Sequence, residues 1–212
     1  MTGMAPRTTP AAPGRRAEYA QATRDAILAA ARQLFAEQGF FGTRVEDIAR
    51  SARVAPATVY AVGGGKSGLL RELIETAVRS EENAAIHARI EDMREPRELI
   101  RFIITVSQAK FTDWSALMRQ VVAAAPQEPS VRESLKTAEQ GLHDGLAHIA
   151  RRLADLGALR PGMDAGQATD VLWYYLNNSS YFTLTDTLAW PAERIAGWLY
   201  DTLVFGLLGN IS

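Results

Sequence analysis

Between Thr43 and Lys66 two short helical patterns stand only three or four residues apart, and that spacing constrains the fold more than any other feature of the chain. Thr43 and Glu46 fit a T-x-x-E capping box, and Val45, Ile48, Ala49 and Ala52 supply a short apolar stripe behind it. The second pattern starts at Pro56, a residue suited to a first helical turn, and Gly63, Gly64 and Gly65 end it. Two such helices predict a helix-turn-helix, in which the second helix enters the major groove of DNA and the first crosses the backbone. Ala55 to Val62 is then the reading helix. Val54 and Val59 point inward onto Ile48 and Ala49, while Pro56, Ala57, Thr58, Tyr60 and Ala61 face outward. That outer face suits thymine methyls and phosphates but offers no Arg–guanine or Asn–adenine pair. Arg44 is the one nearby guanidinium. Spacing alone also admits the plainer reading that residues 20–75 are four ordinary core helices.

The rest of the chain reads as helix punctuated by Gly and Pro. Ile27, Leu28, Ala31, Leu34 and Phe35 share one face of a helix that begins near Tyr19 and stops at Gly39. A helix from Lys66 is expected to run unbroken to Pro96. Leu99–Asp113 and Ser115–Ala125 read as two further helices, and Ser130 opens a long one that Gly157 ends. Asp164–Asn177 and Pro191–Leu208 complete the pattern. Alternating strand patterns are absent apart from the ambiguous run Phe102–Val106, so the expected fold class is all-α.

The 212 residues include no cysteine, which excludes disulfides and thiolate metal sites, and 3 histidines leave little for other metal chemistry. Hydrophobic content of 47% with 22% charged residues is ordinary for a globular chain. Apolar runs are too short for a membrane span and residues 1–16 lack the apolar block of a secretory signal, so the expected location is cytoplasmic. Residues 1–80 carry 11 Arg/Lys and 7 Asp/Glu, against a net acidic remainder, which suits an anionic partner at the N-terminal end. Pro6, Pro10, Pro13, Gly3 and Gly14 argue against helix at the start, so residues 1–18 are expected to form a flexible basic arm carrying Arg7, Arg15 and Arg16.

The run Thr43-Arg44-Val45-Glu46-Asp47-Ile48-Ala49, then Ala52 to Tyr60, then Lys66 and Leu69-Leu70, resembles the N-terminal signature of the TetR (tetracycline-repressor) family, as does the preceding Leu34 to Phe40. The resemblance implies an N-terminal three-helix DNA-binding domain over residues 19–80. It also implies a divergent C-terminal helical domain over 81–212 that binds a small ligand and dimerises. It implies double-stranded operator DNA as partner, a homodimer, and release from the operator by an effector, with no cofactor and no enzymatic role. The DNA-contacting set is expected to be Thr43, Arg44, Pro56, Ala57, Thr58, Tyr60 and Lys66, the lysine standing where the family's lysine meets a phosphate. The chain departs from the family pattern in two places. Arg53 occupies the turn where glycine is usual, which implies a strained left-handed residue. Val62 and Gly63 replace an aromatic pair, which implies a looser exit from the reading helix.

Other signals point elsewhere. Gly63 to Gly68 matches G-x-G-x-x-G, the mark of a dinucleotide site, but a doubly wound sheet needs strands that this chain lacks. A helical nucleotide-binding protein or enzyme using that loop, and a helical interaction module without DNA binding, are the rival functions. His143 and His148 are five apart and so do not share a helix face as a metal pair. Ligand contacts are assigned to Phe111, Trp114, Met118, Trp173 and Tyr174, with Gln120, His143 and Asn177 as polar partners. The last helix carries apolar residues on several sides, which places Ile195, Trp198, Leu199 and Leu203 at a dimer interface.

Overall fold

The computed structural model describes residues 14–209. It consists of ten α-helices and one π-helical turn, with no strand among the described residues beyond a single bridge pairing Leu159 with Leu208. The helices are α1 (Arg15–Gly42), α2 (Val45–Ser51), α3 (Pro56–Gly63), α4 (Lys66–Val78), α5 (Glu81–Asp92), α6 (Pro96–Ala124) and α7 (Pro129–Asp155). α8 (Ala165–Leu176), α9 (Asn178–Phe182), the π-helical turn Thr183–Thr187 and α10 (Ala192–Leu207) follow. The all-α expectation holds.

Several boundaries differ from the sequence expectation. Helix begins at Arg15, so the last residues of the expected arm, Arg15 to Glu18, are helical; residues 1–13 lie outside the described residues. Leu99–Asp113 and Ser115–Ala125 are one helix, because Trp114 continues the apolar stripe and nothing there breaks the backbone. The helix expected from Lys66 to Pro96 is two. Ser80 ends the first and caps the second by accepting from the Asn83 amide N–H at 3.3 Å. The Asn83 side-chain amide donates back to the carbonyls of Ala77 and Val78 at 2.9 and 2.8 Å, satisfying the last turn of α4. The expected capping box at Thr43 and Glu46 is absent: Arg44 is the N-cap of α2, without a side-chain cap bond. A true capping box forms at Asp164 and Gln167, which starts α8.

Two apolar clusters hold the fold. One joins Ile27, Phe35, Ile48, Val59 and Leu70 to Leu117, Met118 and Val121 of α6 and Val131 of α7. The other joins Ile90 and the first half of α6 to α7, α8 and α10 through residues such as Leu146, Leu153, Leu172 and Leu203. α1 lies against the second half of α6, and α4 runs beside α7. Helices α1 to α4 thus share their core with the C-terminal body.

Candidate nucleic-acid interface and ligand cavity

α2 and α3 pack at the turn Ala52–Ala55, where Val54 donates its N–H to Ala49 O at 2.9 Å. Arg53 in that turn has φ 55, the left-handed conformation implied by the missing glycine. Val59 is fully buried in the same cluster as Ile48 and Ala49, so the opposite side of α3 faces outward. Pro56, Ala57 and Tyr60 are exposed and Thr58 is half-buried. Arg44, Arg50 and Arg53 are also exposed, giving α2 and the turn three guanidinium groups where the sequence reading named one.

Thr43 does not join this face. It is completely buried, and its hydroxyl lies 2.8 Å from Gly39 O and 3.1 Å from Leu34 O, donating to the end of α1. It closes the kink at Gly39 (φ 74), which turns Phe40 into the core against Phe35. Lys66 is half-buried. Its ammonium donates to Phe40 O at 2.7 Å and lies 4.6 Å from the centre of the Phe40 ring. Burial lowers its pKa, and Glu128 opposes that shift.

The exit of α3 is tight, not loose. Gly64 is left-handed (φ 66) and returns its N–H to Tyr60 O at 2.8 Å. A Cβ on Gly63 would strike the Leu69 side chain, and one on Gly68 would strike the Gly63 carbonyl. Leu69, fully buried, packs directly on Gly63. Residues 58–62 are helical, so the glycine loop follows a helix, not a strand, and the dinucleotide reading has no structural support.

Farther into the body, a cavity of about 370 Å³ opens between α4, α5, α6 and α7. Phe111, Trp114 and Met118 line it; Gln120, His143, Trp173, Tyr174 and Asn177 do not. Gln120 sits instead where α6 meets Gly39. His143 meets Trp173 edge-on at 5.8 Å, on the side of α7 that faces α8. Tyr174 is largely exposed, and Asn177 caps α9 through Ser180. The polar lining that sequence reasoning missed includes Glu82, Asn83 and His87 on α5, and Ser107 and Lys110 on α6. A detectable signal existed at Lys110, which falls on the apolar stripe of α6 four residues after Val106. His87 lies 4.9 Å from His148, ring to ring, and its pKa is lowered by burial, then by His148 and Arg151. His148 Nε2 is 3.0 Å from Glu91 but makes no well-aligned hydrogen bond. Among the described residues no cluster of three or more His, Asp or Glu side chains could hold a metal, and no helix is long and apolar enough to cross a membrane.

Most of the proposed dimer set is also misplaced. Ile195, Leu199 and Leu203 are buried against their own chain; of the four, only Trp198 is exposed. Tyr174 on α8 and Phe205 on α10 extend its exposed aromatic surface, Phe205 at 85% exposure.

Residues 27–73 match the model of the family described as bacterial regulatory proteins, tetR family. The HTH-type transcriptional repressor NicS of Pseudomonas putida is 30% identical over 157 residues, spanning 73% of this chain and 68% of that protein. The chain belongs to the tetR family. Its fold also matches solved structures of other regulators. Salmonella enterica GusR is 25% identical with a TM-score of 0.64, covering 86% of this chain and 94% of GusR. SmeT, solved in a complex with triclosan, is 21% identical with a TM-score of 0.70, covering 90% and 94%. As a tetR-family protein the chain is a DNA-binding transcriptional regulator.

Proposed function

We propose that this regulator is a dimeric repressor released from its operator by a small molecule entering the α4–α7 cavity. The observation that carries the reading is the position of α4. Its last turn supplies Ile74, Ala77 and Val78 to the cavity wall, while its first residue, Lys66, is tied to Phe40 beside the reading unit. Thirteen residues make a rigid rod about 20 Å long between ligand and DNA. The rod is shorter than a helix running to Pro96 would be, and the Ser80–Asn83 capping pair at its end is where a ligand can shift it.

DNA contact is assigned to Arg44, Pro56, Ala57, Thr58 and Tyr60, supported by the exposure of the α3 face, with Arg50 and Arg53 added as phosphate contacts. Lys66 reaches phosphate only with the part of its ammonium that Phe40 leaves free. Residues 19–80 act as the reading domain and residues 81–212 as the ligand and dimer body. Two chains meet through Tyr174, Trp198 and Phe205, which sets the reading helices for half-sites about 34–36 Å apart. The ligand must favour the DNA-incompetent arrangement, since equal affinity for both shifts nothing.

The test is fluorescence anisotropy with duplexes drawn from the DNA flanking the protein's own gene. Specific binding is expected to survive at 150 mM salt and to weaken in Arg44→Ala and Tyr60→Ala. Equal affinity for the flanking and scrambled duplexes would sink the reading.

A further inference from the structure

α5 and α6 run antiparallel along the cavity. Lys110 Nζ stands 3.3 Å from Glu82, and farther along Arg89 lies over the Phe102 ring at 4.7 Å. The wall therefore has a polarity. Charge gathers at the Glu82–Lys110 end, His87 and Ser107 come next, and Ile90 and Ile103 lie beyond.

The charges at the polar end are not equivalent. Asp113 is already paired with Arg32 at 2.7 Å, and its side chain is well exposed. The Glu82 side chain is 71% exposed, whereas that of Lys110 is 35% exposed. Lys110 is thus the charged group most committed to the cavity, and its partner is the one closest to bulk water. A single exposed ion-pair contact of this kind holds weakly, so Glu82 can be exchanged for another anion at little cost. Inside the sheltered wall, an ammonium meeting a carboxylate makes one of the stronger hydrogen bonds available to a protein.

We propose that the cavity takes a small one- or two-ring weak acid, whose carboxylate replaces Glu82 at Lys110 while its apolar body lies along Ile86, Ile90 and Ile103. This rests on the reading of the cavity as the effector site. A cavity of about 370 Å³ is at the lower end of ligand pockets, which suits a compact ring system. A cationic ligand of the same shape meets Lys110 with like charge. A neutral one leaves the Lys110–Glu82 pair in place and gains only from its apolar surface.

Three matched probes decide the matter: 2-naphthoate, its methyl ester and 2-naphthylmethylammonium, titrated calorimetrically into the full-length protein. The acid is expected to bind at least about tenfold more tightly than the other two. Lys110→Gln should remove that preference by weakening acid binding about tenfold, and Glu82→Gln should strengthen acid binding a few-fold. An ester or amine that binds as tightly as the acid overturns the proposal. So does an acid preference that survives Lys110→Gln, or a failure of all three probes to bind. Anisotropy of the operator complex with each probe separates the two readings. Acid that binds preferentially without releasing DNA keeps the ligand class and removes the effector role. Ester or amine that releases DNA as readily as the acid keeps the effector role and removes the class.

Discussion

Arg119 grips Asp186 through two parallel hydrogen bonds, Nε to Oδ2 and Nη2 to Oδ1, both 2.7 Å long. The same guanidinium lies 4.6 Å over the Phe182 ring, so one side chain of α6 fastens both α9 and the π-helical turn. That strap also carries Tyr181, stacked on Phe111 at 4.2 Å, and Asn178, which reaches the cavity wall.

The pair gives the strap a pH dependence. The Arg119 hydrogen bond, followed by that from the Thr185 hydroxyl, holds the Asp186 carboxyl at about 2, below its ordinary 3.8. A depressed folded-state value stabilises the fold fully above pH 3.8, and the gain disappears as pH falls through about 2. Both side chains are well exposed, so the effect is small. Asp186→Asn should melt roughly 2 °C lower at pH 6 and at the same temperature as the parent near pH 2. A gap that stays constant across that range would show that the ionised carboxylate is not its source.

Gly68→Ala should be among the most damaging small substitutions in the reading unit. The added methyl meets the Gly63 backbone carbonyl, which cannot swing aside as a side chain would. A loss of about 3 kcal/mol is expected, read as a drop of roughly 6–12 °C in the melting temperature. Gly64→Ala meets open space and carries only the left-handed penalty, about 1 kcal/mol. Equal melting temperatures for the two variants would contradict the clamp between Gly63 and Gly68.

Arg53→Gly should raise stability by up to about 1 kcal/mol, because glycine takes φ 55 without strain. Chemical denaturation without DNA isolates this gain from the loss of an exposed cation. Lower stability in the variant would show that the arginine side chain makes up for its backbone.

Lys66→Ala should do two things at once. Losing the donor to Phe40 O should cost about 1 kcal/mol of stability, seen in melts of the free protein. If a phosphate contact is lost as well, the slope of log affinity against log salt falls by about one unit. Reduced stability with an unchanged slope would assign Lys66 to the fold alone.

Phe205→Asp should leave the chain folded and give monomers in light scattering at concentrations where the parent is dimeric. Leu203→Ala should instead cost about 2–5 kcal/mol of folding stability, since its side chain is fully buried. A Phe205→Asp dimer would move the interface elsewhere.

What the sequence disclosed was local, and what it hid was relational. The helix-turn-helix and the Gly39 break follow from residue types at fixed spacing, the left-handed Arg53 is what the family resemblance implies, and all three stand. A T-x-x-E pattern looks the same whether the threonine caps the next helix or, as Thr43 does, closes the last. Ile195, Leu199 and Leu203 were assigned outward because a wide apolar surface does not reveal which side α6 and α8 will cover. The cavity was half legible. Phe111, Trp114 and Met118 share a helix face, but His87 joins them from α5, whose position depends on the turn at Ser80.

The cluster that runs from Ile27 through Val59 to Leu117, Met118, Val121 and Val131 means that the interior of the reading head is completed by the body. Severed after Val78, it would present to water the flank that now rests on α6 and α7. A chimaera that grafts this head onto a foreign body must therefore import residues 117–131 with it, or re-create their shape. The outward side of α3 can be edited without disturbing that interior, whereas transplanting the head as a unit replaces part of the protein's floor.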